Sequence, residues 1–396
     1  MSKPHIVVRA GHPDFLDLPW ETSLTEWDHP RRLDLPKGIS RHEVRFYAYD
    51  EGIYAIKELP LRAARHEYQM LRELEEMDAP AVRPVGLVER GWLDPHDEAS
   101  GAVITVYLDH AFSYRELMSG WGFGARRTQM LDAFAGLLVE IHLLGIYWGD
   151  CSLSNVLYRY DAGTIRVTMV DAETTRTFPS LSPGQREDDL GIMIENVAGG
   201  MADIAAEQGV DIDAADLALG EDIVDRYRAL WDEINRPVVV GADERYRITE
   251  AIRRLNDLGF EVEDVELVPT EGGDTMRMRL TVGGRTYHSR RLFELTGVEA
   301  TEGQARQILS DLAHHAGGAA ETNRALATAR WRIEAFEPLM ERIRRLDRHA
   351  SDPMQAYTDY LHHRYVLSAA RGRDVAPEEA FEAWLEAGQP GYPLPD

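Results

Sequence analysis

The sequence predicts an α+β fold of two lobes followed by an additional α/β module. Three observations predict it: strand patterns cluster around one helix between residues 41 and 108, helical periodicity takes over beyond residue 110, and a helix–strand–strand pattern returns after Pro237 and Gly241. At 396 residues the chain exceeds what a single hydrophobic core serves. The expected division is a small lobe with its hinge at residues 1–110, a helical lobe at 111–236, and a C-terminal module at 237–396.

Residues 41–48 alternate in strand fashion, Glu51-Gly52 turns the chain, and Ile53 to Leu59 is a second apolar run, so a hairpin is expected. From Leu61 to Met77 the positions Ala64, Tyr68, Leu71 and Leu74 recur at helical spacing, with Pro80 as a stop, and Glu67 lies within that helix. Val85 to Glu89 and Ala102 to Leu108 read as strands, the second ending at Asp109-His110. Tyr114 to Met118 and Thr128 to Leu144 read as helices, the longer one terminated by Gly145. Asn155 to Asp171 is a hairpin about Asp161-Ala162-Gly163, which presents Asn155 and Asp171 together. Helical patterns resume from Asp188 to about Asn235. In the module, Arg245 to Leu258 reads as a helix and Glu261 to Val268 and Met276 to Val282 as paired strands. Helical periodicity then covers Glu302 to Arg345, Pro353 to Ala370 and Pro377 to Ala387.

Composition narrows the function. Lys and Arg total 43 against 68 Asp and Glu, a formal charge of -25 that repels a phosphate backbone, so no nucleic acid partner is expected. There is no secretory leader pattern and no apolar window approaching about eighteen residues, so no membrane span is expected and the location is read as cytoplasmic. Cys151 is the single cysteine, which excludes an intramolecular disulfide and any multi-cysteine metal site. His142, His314 and His315 lack metal-ligand spacing.

Phosphoryl transfer from ATP needs positioning and charge neutralisation more than covalent help. A strand lysine reaches the phosphates, a helix carboxylate holds the lysine, two side chains hold magnesium, and a further carboxylate faces the acceptor hydroxyl. Tyr54-Ala55-Ile56-Lys57 with Glu67 ten residues on fits the first two parts, although each residue alone reads more readily as a solvated surface charge. The stronger signal is Gly145-Ile146-Tyr147-Trp148-Gly149-Asp150-Cys151-Ser152-Leu153-Ser154-Asn155, which leaves a long helix and enters the hairpin ending in Asp171.

That segment resembles the protein-kinase catalytic loop, and Met169-Val170-Asp171-Ala172-Glu173 resembles the Asp-x-Glu form of aminoglycoside phosphotransferases, choline kinases and lipopolysaccharide kinases. As a whole the chain is similar to actinobacterial lipopolysaccharide-kinase-like proteins that carry a C-terminal domain of unknown function, DUF4032. In the C-terminal part Glu250 to Leu255 and Tyr357 to Arg364 carry the likeness. The resemblance implies a protein-kinase-like bilobal fold using ATP and magnesium (Mg2+). It implies Asp150 and Lys57 as catalytic residues, Lys57, Glu67, Gly38, Ser40 and the hinge residue Asp109 as nucleotide-binding, and Asn155 and Asp171 as metal ligands. Of Asp188-Asp189, which either braces the catalytic loop or simply opens a helix, Asp189 is taken as the brace.

Departures from the family pattern shape the expectation. Pro36-Lys37-Gly38-Ile39-Ser40-Arg41-His42 has one glycine where kinases carry a glycine-rich turn, so amides near Gly38 and Ser40 with Lys37 or Arg41 cover the phosphates, or the segment is a surface turn. Arg62 and Arg65 either assist or form a solvated helix face. Trp148 replaces the usual histidine and is expected in the core. Gly149 replaces the arginine that would read a loop phosphate, and Ala172 to Asp188 holds no Ala-Pro-Glu-like anchor for a peptide. The expected acceptor is therefore an unidentified hydroxyl-bearing small molecule or glycan. Cys151 is read as an inert buried thiol rather than a redox switch. The rival readings are a pseudokinase working as a nucleotide-binding scaffold, and transfer of another group such as AMP. A protein partner would engage the C-terminal module, where Arg285, His288, Arg290 and Arg291 face either an anionic partner or the acidic first domain.

Overall fold

The computed structural model describes residues 3–35, 41–118, 126–241, 243–270, 275–316, 324–346 and 352–393. By compactness the chain divides into two units. Residues 1–124, 134–158 and 167–230 form the first, and residues 125–133, 159–166 and 231–396 the second. The division at 110 and 236 read from the sequence remains a proposal about chain segments. No described helix is long and apolar enough to cross a membrane.

The first unit opens with β1 (His5–Val8), β2 (Arg32–Leu33), β3 (Val44–Tyr49) and β4 (Gly52–Leu59), then α1 (Leu61–Glu76), β5 (Pro84–Glu89) and β6 (Gly101–Val106). The strands form one six-stranded sheet in the order β1-β5-β6-β4-β3-β2, antiparallel throughout. Side chains alternate across it with period two. Tyr47, Tyr54, Ile56, Ala102 and Ile104 enter a core with Phe15, Leu18, Trp20, Leu24 and Trp27. Val44, Phe46, Ala55, Lys57, Val103 and Thr105 instead line a cavity. The buried Arg90 guanidinium ties the N-terminal segment to the sheet by donating to the Trp20 carbonyl (2.7 Å) and to Glu58 (2.5 Å).

Next come α2 (Tyr114–Met118), α3 (Arg126–Leu143), β7 (Ile146–Tyr147), β8 (Val156–Asp161), β9 (Thr164–Met169), β10 (Arg176–Thr177), α4 (Pro183–Gln208), α5 (Ala214–Leu217) and α6 (Leu219–Ile234). β7 pairs with β10, and β8 with β9. Gly145 turns the chain after α3 at φ +77°, where an added Cβ would sit 2.1 Å from the Phe178 carbonyl oxygen. The sequence pattern opens the following helix at Asp188, but α4 starts five residues earlier. Ser182 caps it reciprocally with Gln185, and Pro183 occupies its first turn. Asp188 and Asp189 therefore lie inside the helix and not at its start.

The second unit contains β11 (Val238–Gly241), α7 (Tyr246–Asp257), β12 (Val262–Pro269), β13 (Thr275–Val282), α8 (Tyr287–Thr296), α9 (Glu302–Ala316), α10 (Arg324–Trp331), a π-helical turn at Arg332–Phe336, α11 (Glu337–Leu346), α12 (Pro353–Arg371) and α13 (Pro377–Glu386). Between Pro237 and Gly241, the expected boundary, Val238–Gly241 is an edge strand of a three-stranded antiparallel sheet in the order β11-β13-β12. Leu292, Ile308, Trp331, Tyr357, Tyr360 and Trp384 lie in its helical core. The basic cluster meets partners of its own unit: His288 contacts Glu302 (2.6 Å), Arg290 Glu261 (2.7 Å) and Arg291 Glu294 (3.6 Å), while Arg285 donates to the Leu258 carbonyl (3.3 Å).

Within this unit the tip of the β8–β9 hairpin caps α9. The buried Asp161 carboxylate accepts from Thr301 Oγ1 (2.5 Å) and from the backbone N–H groups of Gly303 (2.9 Å) and Gln304 (2.7 Å). Gln355 brackets Ala162, accepting from its N–H (2.9 Å) and donating to its carbonyl (3.2 Å).

Two outcomes follow from this packing. A chain ending at Arg236 leaves residues 125–133 and 159–166 without the rest of their compact unit and should melt below the full protein, whereas Asp161→Ala in the full chain should lose about 1–3 kcal/mol in urea unfolding. A soluble, monodisperse truncated chain with the melting temperature of the full protein would refute this. Gly145→Ala should destabilise by at least about 1–2 kcal/mol for its left-handed backbone alone. Gly199→Ala, in α4 with open space around it, should by contrast stabilise by up to ~1 kcal/mol; equal effects of the two substitutions would contradict the backbone assignment.

Candidate active site

Lys57 sits on β4, paired with Val44 of β3 on one side and Val103 of β6 on the other. Alternation turns it away from the aromatic core and into the cavity. On α1, Ala64, Glu67, Leu71 and Leu74 share the helical face that packs inward, so the Glu67 carboxylate is only 1% exposed. Lys57 Nζ lies 3.0 Å from Glu67 Oε2 and 2.8 Å from Asp171 Oδ2. One ammonium thus serves two carboxylates. Burial pushes Glu67 up to about 7 despite its lysine partner. Burial also works against the Lys57 charge, but Glu67 and Asp171 outweigh it and hold the ammonium protonated, above its ordinary range.

The loop between β7 and β8 is fixed from α4. Asp189, with no exposed surface, accepts from the backbone N–H groups of Trp148 (2.9 Å) and Gly149 (2.8 Å), and contacts His142 Nε2 (3.1 Å). Burial alone would raise its pKa, but those three partners hold it below the usual carboxylate range. Gly149 makes this possible with φ +79°. Trp148 is wholly buried, as its aromatic character predicts, and its indole N–H donates to the Asp171 carbonyl (3.1 Å). At the base of the hairpin the Val170 N–H donates to the Asn155 carbonyl (3.0 Å), which brings Asn155 beside Asp171.

Asp150 is held by two amides. Asn155 Nδ2 donates to its Oδ2 (3.1 Å) and its carbonyl (3.0 Å), and Asn196 Nδ2 donates to its Oδ1 (2.9 Å). Burial, opposed by these two donors and reinforced by the charges of Asp171 and Glu173, leaves its pKa raised. Cys151 is buried with its thiol pushed well above the ordinary value by desolvation, the environment of an unreactive sulfur.

Two cavities meet here. One, of about 140 Å³, has apolar walls that include Phe46, Val103 and Leu157, together with Lys57, Glu67, Asn155 and Asp171. The other, of about 390 Å³, is polar and takes in Asp150, Asn155, Asp171, Glu195, Asn196 and Asp203. Asn155 and Asp171 line both. Asp109 is exposed, and the apolar cavity is bordered by its neighbours Tyr107 and Leu108 rather than by Asp109 itself. Gly38 and Ser40 lie outside the described residues. Next to them Arg41 pairs with Glu173, and His42 bridges Glu173 (3.2 Å) and Glu98 (2.7 Å). Its contact with Glu173 raises the His42 pKa against the effect of burial, while the same contact lowers that of Glu173. Arg65 pairs with Glu89 on the surface.

Asn196 and His42 were not read from the sequence. Asn196 carries a signal in retrospect: it follows Asp189 by seven residues, two helical turns, and so shares the face that grips the loop. Among the described residues no group of three or more His, Cys, Asp or Glu forms a metal cage. One amide and one carboxylate suit magnesium, which keeps most of its coordination for phosphate and water.

Residues 51–195 match the lipopolysaccharide kinase (Kdo/WaaP) family, and residues 229–388 match the domain of unknown function DUF4032. A comparison with curated proteins gives no match. Among solved structures, WaaP in complex with acyl carrier protein is similar at 18% identity over 64% of this chain and 99% of that one, with a TM-score of 0.37. The Rad53 kinase domain with SCD2 is similar at 15% identity over 34% of this chain and 49% of the other, with a TM-score of 0.25. The small-lobe sheet with its single helix, the braced loop and the hairpin after it make a protein-kinase-like fold, within which residues 51–195 are similar to the lipopolysaccharide kinase (Kdo/WaaP) family, while residues 229–388 are similar to DUF4032.

Proposed function

We propose that this chain is an ATP- and magnesium-dependent phosphotransferase that moves the γ-phosphoryl group onto a hydroxyl of a small molecule or glycan. The observation that carries this reading is the shared border of the two cavities. Lys57 and Glu67 line only the apolar one, Asp150 lines only the polar one, and Asn155 and Asp171 line both. A nucleotide base suits the apolar walls, an acceptor suits the polar cleft, and the transferred group would pass where the two meet. The match of residues 51–195 to lipopolysaccharide kinases supports a kinase-type activity.

In this reading Lys57, held by Glu67, positions the phosphates, and Asn155 and Asp171 would hold magnesium, whose contribution when bound is to neutralise phosphate charge. Asp150 takes the hydroxyl proton as the acceptor oxygen bonds to the γ-phosphorus and the bond to the ADP oxygen breaks. Its raised pKa suits a group that must hold a proton in passing. The absence of a peptide anchor between Ala172 and Asp188 favours a compact acceptor over a protein chain.

Magnesium-ATP should raise the melting temperature, since a ligand at 100 times its Kd stabilises by about 2.7 kcal/mol, and Asp171→Asn should abolish the shift. An unchanged melting temperature at millimolar magnesium-ATP, with calorimetry showing no heat of binding, would end the nucleotide-site reading. Lys57→Met and Asp150→Ala should both lose phosphate transfer from labelled ATP to a cell extract, but Asp150→Ala should keep nucleotide affinity within a few-fold. Labelling of the extract by Asp150→Ala at the wild-type rate would remove Asp150 from its role. Nucleotide binding by a wild-type chain that labels nothing would favour the pseudokinase.

A further inference from the structure

Outside the motif, Asn196 stands on α4 in the middle of a helix, where asparagine is a poor former. Its amide nitrogen donates to Asp150 Oδ1 (2.9 Å) and to the Cys151 carbonyl (3.2 Å). Both neighbours are pure acceptors, so only the NH2 end of the amide fits there, and both of its hydrogens are used. Asp150 consequently has one amide on each oxygen: Asn155 on Oδ2 from within the loop, and Asn196 on Oδ1 from another element.

A carboxylate bonded at one oxygen still turns about its Cβ–Cγ bond. Bonded at both oxygens from different directions, its plane is fixed and its remaining lone pairs are aimed. The helix that supplies the second bond is itself locked to the loop, because Asp189, two turns before Asn196, binds the Trp148 and Gly149 N–H groups. Asn196 also shares its helix face with Gly199, Gly200 and Asp203, all of which line the polar cleft with Asp150. The second amide therefore reaches Asp150 from the cleft where the acceptor would stand.

We infer that Asn196 is a positioning residue, which holds the Asp150 carboxylate in the one orientation from which it takes the acceptor's proton. This rests on the phosphotransferase reading for its consequence, though not for its geometry. Asn155 alone cannot do this work, because it reaches only one oxygen of the carboxylate, Oδ2, and leaves Oδ1 free. A misplacement of about 1 Å at such a group costs on the order of 100-fold in rate.

The test uses the full chain with Asn196→Leu, which keeps the size and loses the donors, and Asn196→His, which keeps a ring N–H near the same place. Crystal structures come first: Asp150 should turn out of its present plane in Asn196→Leu and keep it in Asn196→His. An Asp150 carboxylate unmoved in Asn196→Leu overturns the inference. Steady-state ADP release from magnesium-ATP, with water as acceptor, should fall on the order of 10- to 100-fold in kcat for Asn196→Leu. The Kd for magnesium-ATP should stay within two-fold of wild type, and Asn196→His should recover most of the rate. A Kd that weakens in step with kcat makes Asn196 a merely structural residue and also overturns the inference. A wild-type chain that binds magnesium-ATP and releases no ADP counts against the phosphotransferase reading instead, and the crystal comparison then decides Asn196 by itself.

Discussion

Asp189 is the constraint on which the site depends. A carboxylate with no exposed surface is costly by several kcal/mol unless donors surround it, and here the donors are the backbone of Trp148 and Gly149 and the ring of His142. His142 belongs to α3 and Asp189 to α4, so the loop between β7 and β8 is suspended between two helices by one buried charge. Everything downstream inherits that fixed point. Asp150 follows Gly149 directly, Asn155 ends the same loop, and Trp148 reaches across to the carbonyl of Asp171.

Around that fixed backbone the charges are deliberately out of balance. Lys57 is the ammonium between Glu67 and Asp171, and Asp150 and Glu173 add to the negative side. Arg41 and His42 compensate Glu173, leaving the rest of the excess beside Lys57. Burial is what lifts Glu67 to about 7, and the neighbouring charges of Asp171 and Glu173 add to that rise. A cation between Asn155 and Asp171 would relieve the excess, so the electrostatics of the site and the chemistry proposed for it agree.

Most of this grouping was legible in the sequence because it is built from short spacings. Asp150, Asn155 and Asp171 are joined by one loop and one hairpin, and the pattern of each is local. What the sequence hid was phase and packing. Asn196 lies 46 residues from Asp150, and its direction follows only once α4 is known to run through Asp189, whose helix face it shares. The N-terminal residues Phe15, Leu18, Trp20, Leu24 and Trp27 follow neither period two nor period 3.6, yet they cover one face of the sheet. The edge strands β1 and β2 are too short to show alternation, and the long helical run after Glu302 is broken by a π-helical turn that its periodicity does not announce. Asp109 follows a strand end and looked like a hinge contact, but its side chain faces solvent while its neighbours border the cavity.

The capping of α9 by Asp161 also bears on how the chain is made. Thr301, the nearest of the three donors in sequence, lies 140 residues after Asp161. At a synthesis rate of about 5–20 residues per second, the hairpin would wait on the order of ten seconds with its tip carboxylate uncapped. Asp171 follows Asp161 by ten residues, so for nearly all of that interval the loop and both candidate metal ligands have already been translated. The nascent chain must therefore hold the hairpin in water, its Asp161 solvated, until the last quarter of the protein emerges to close it.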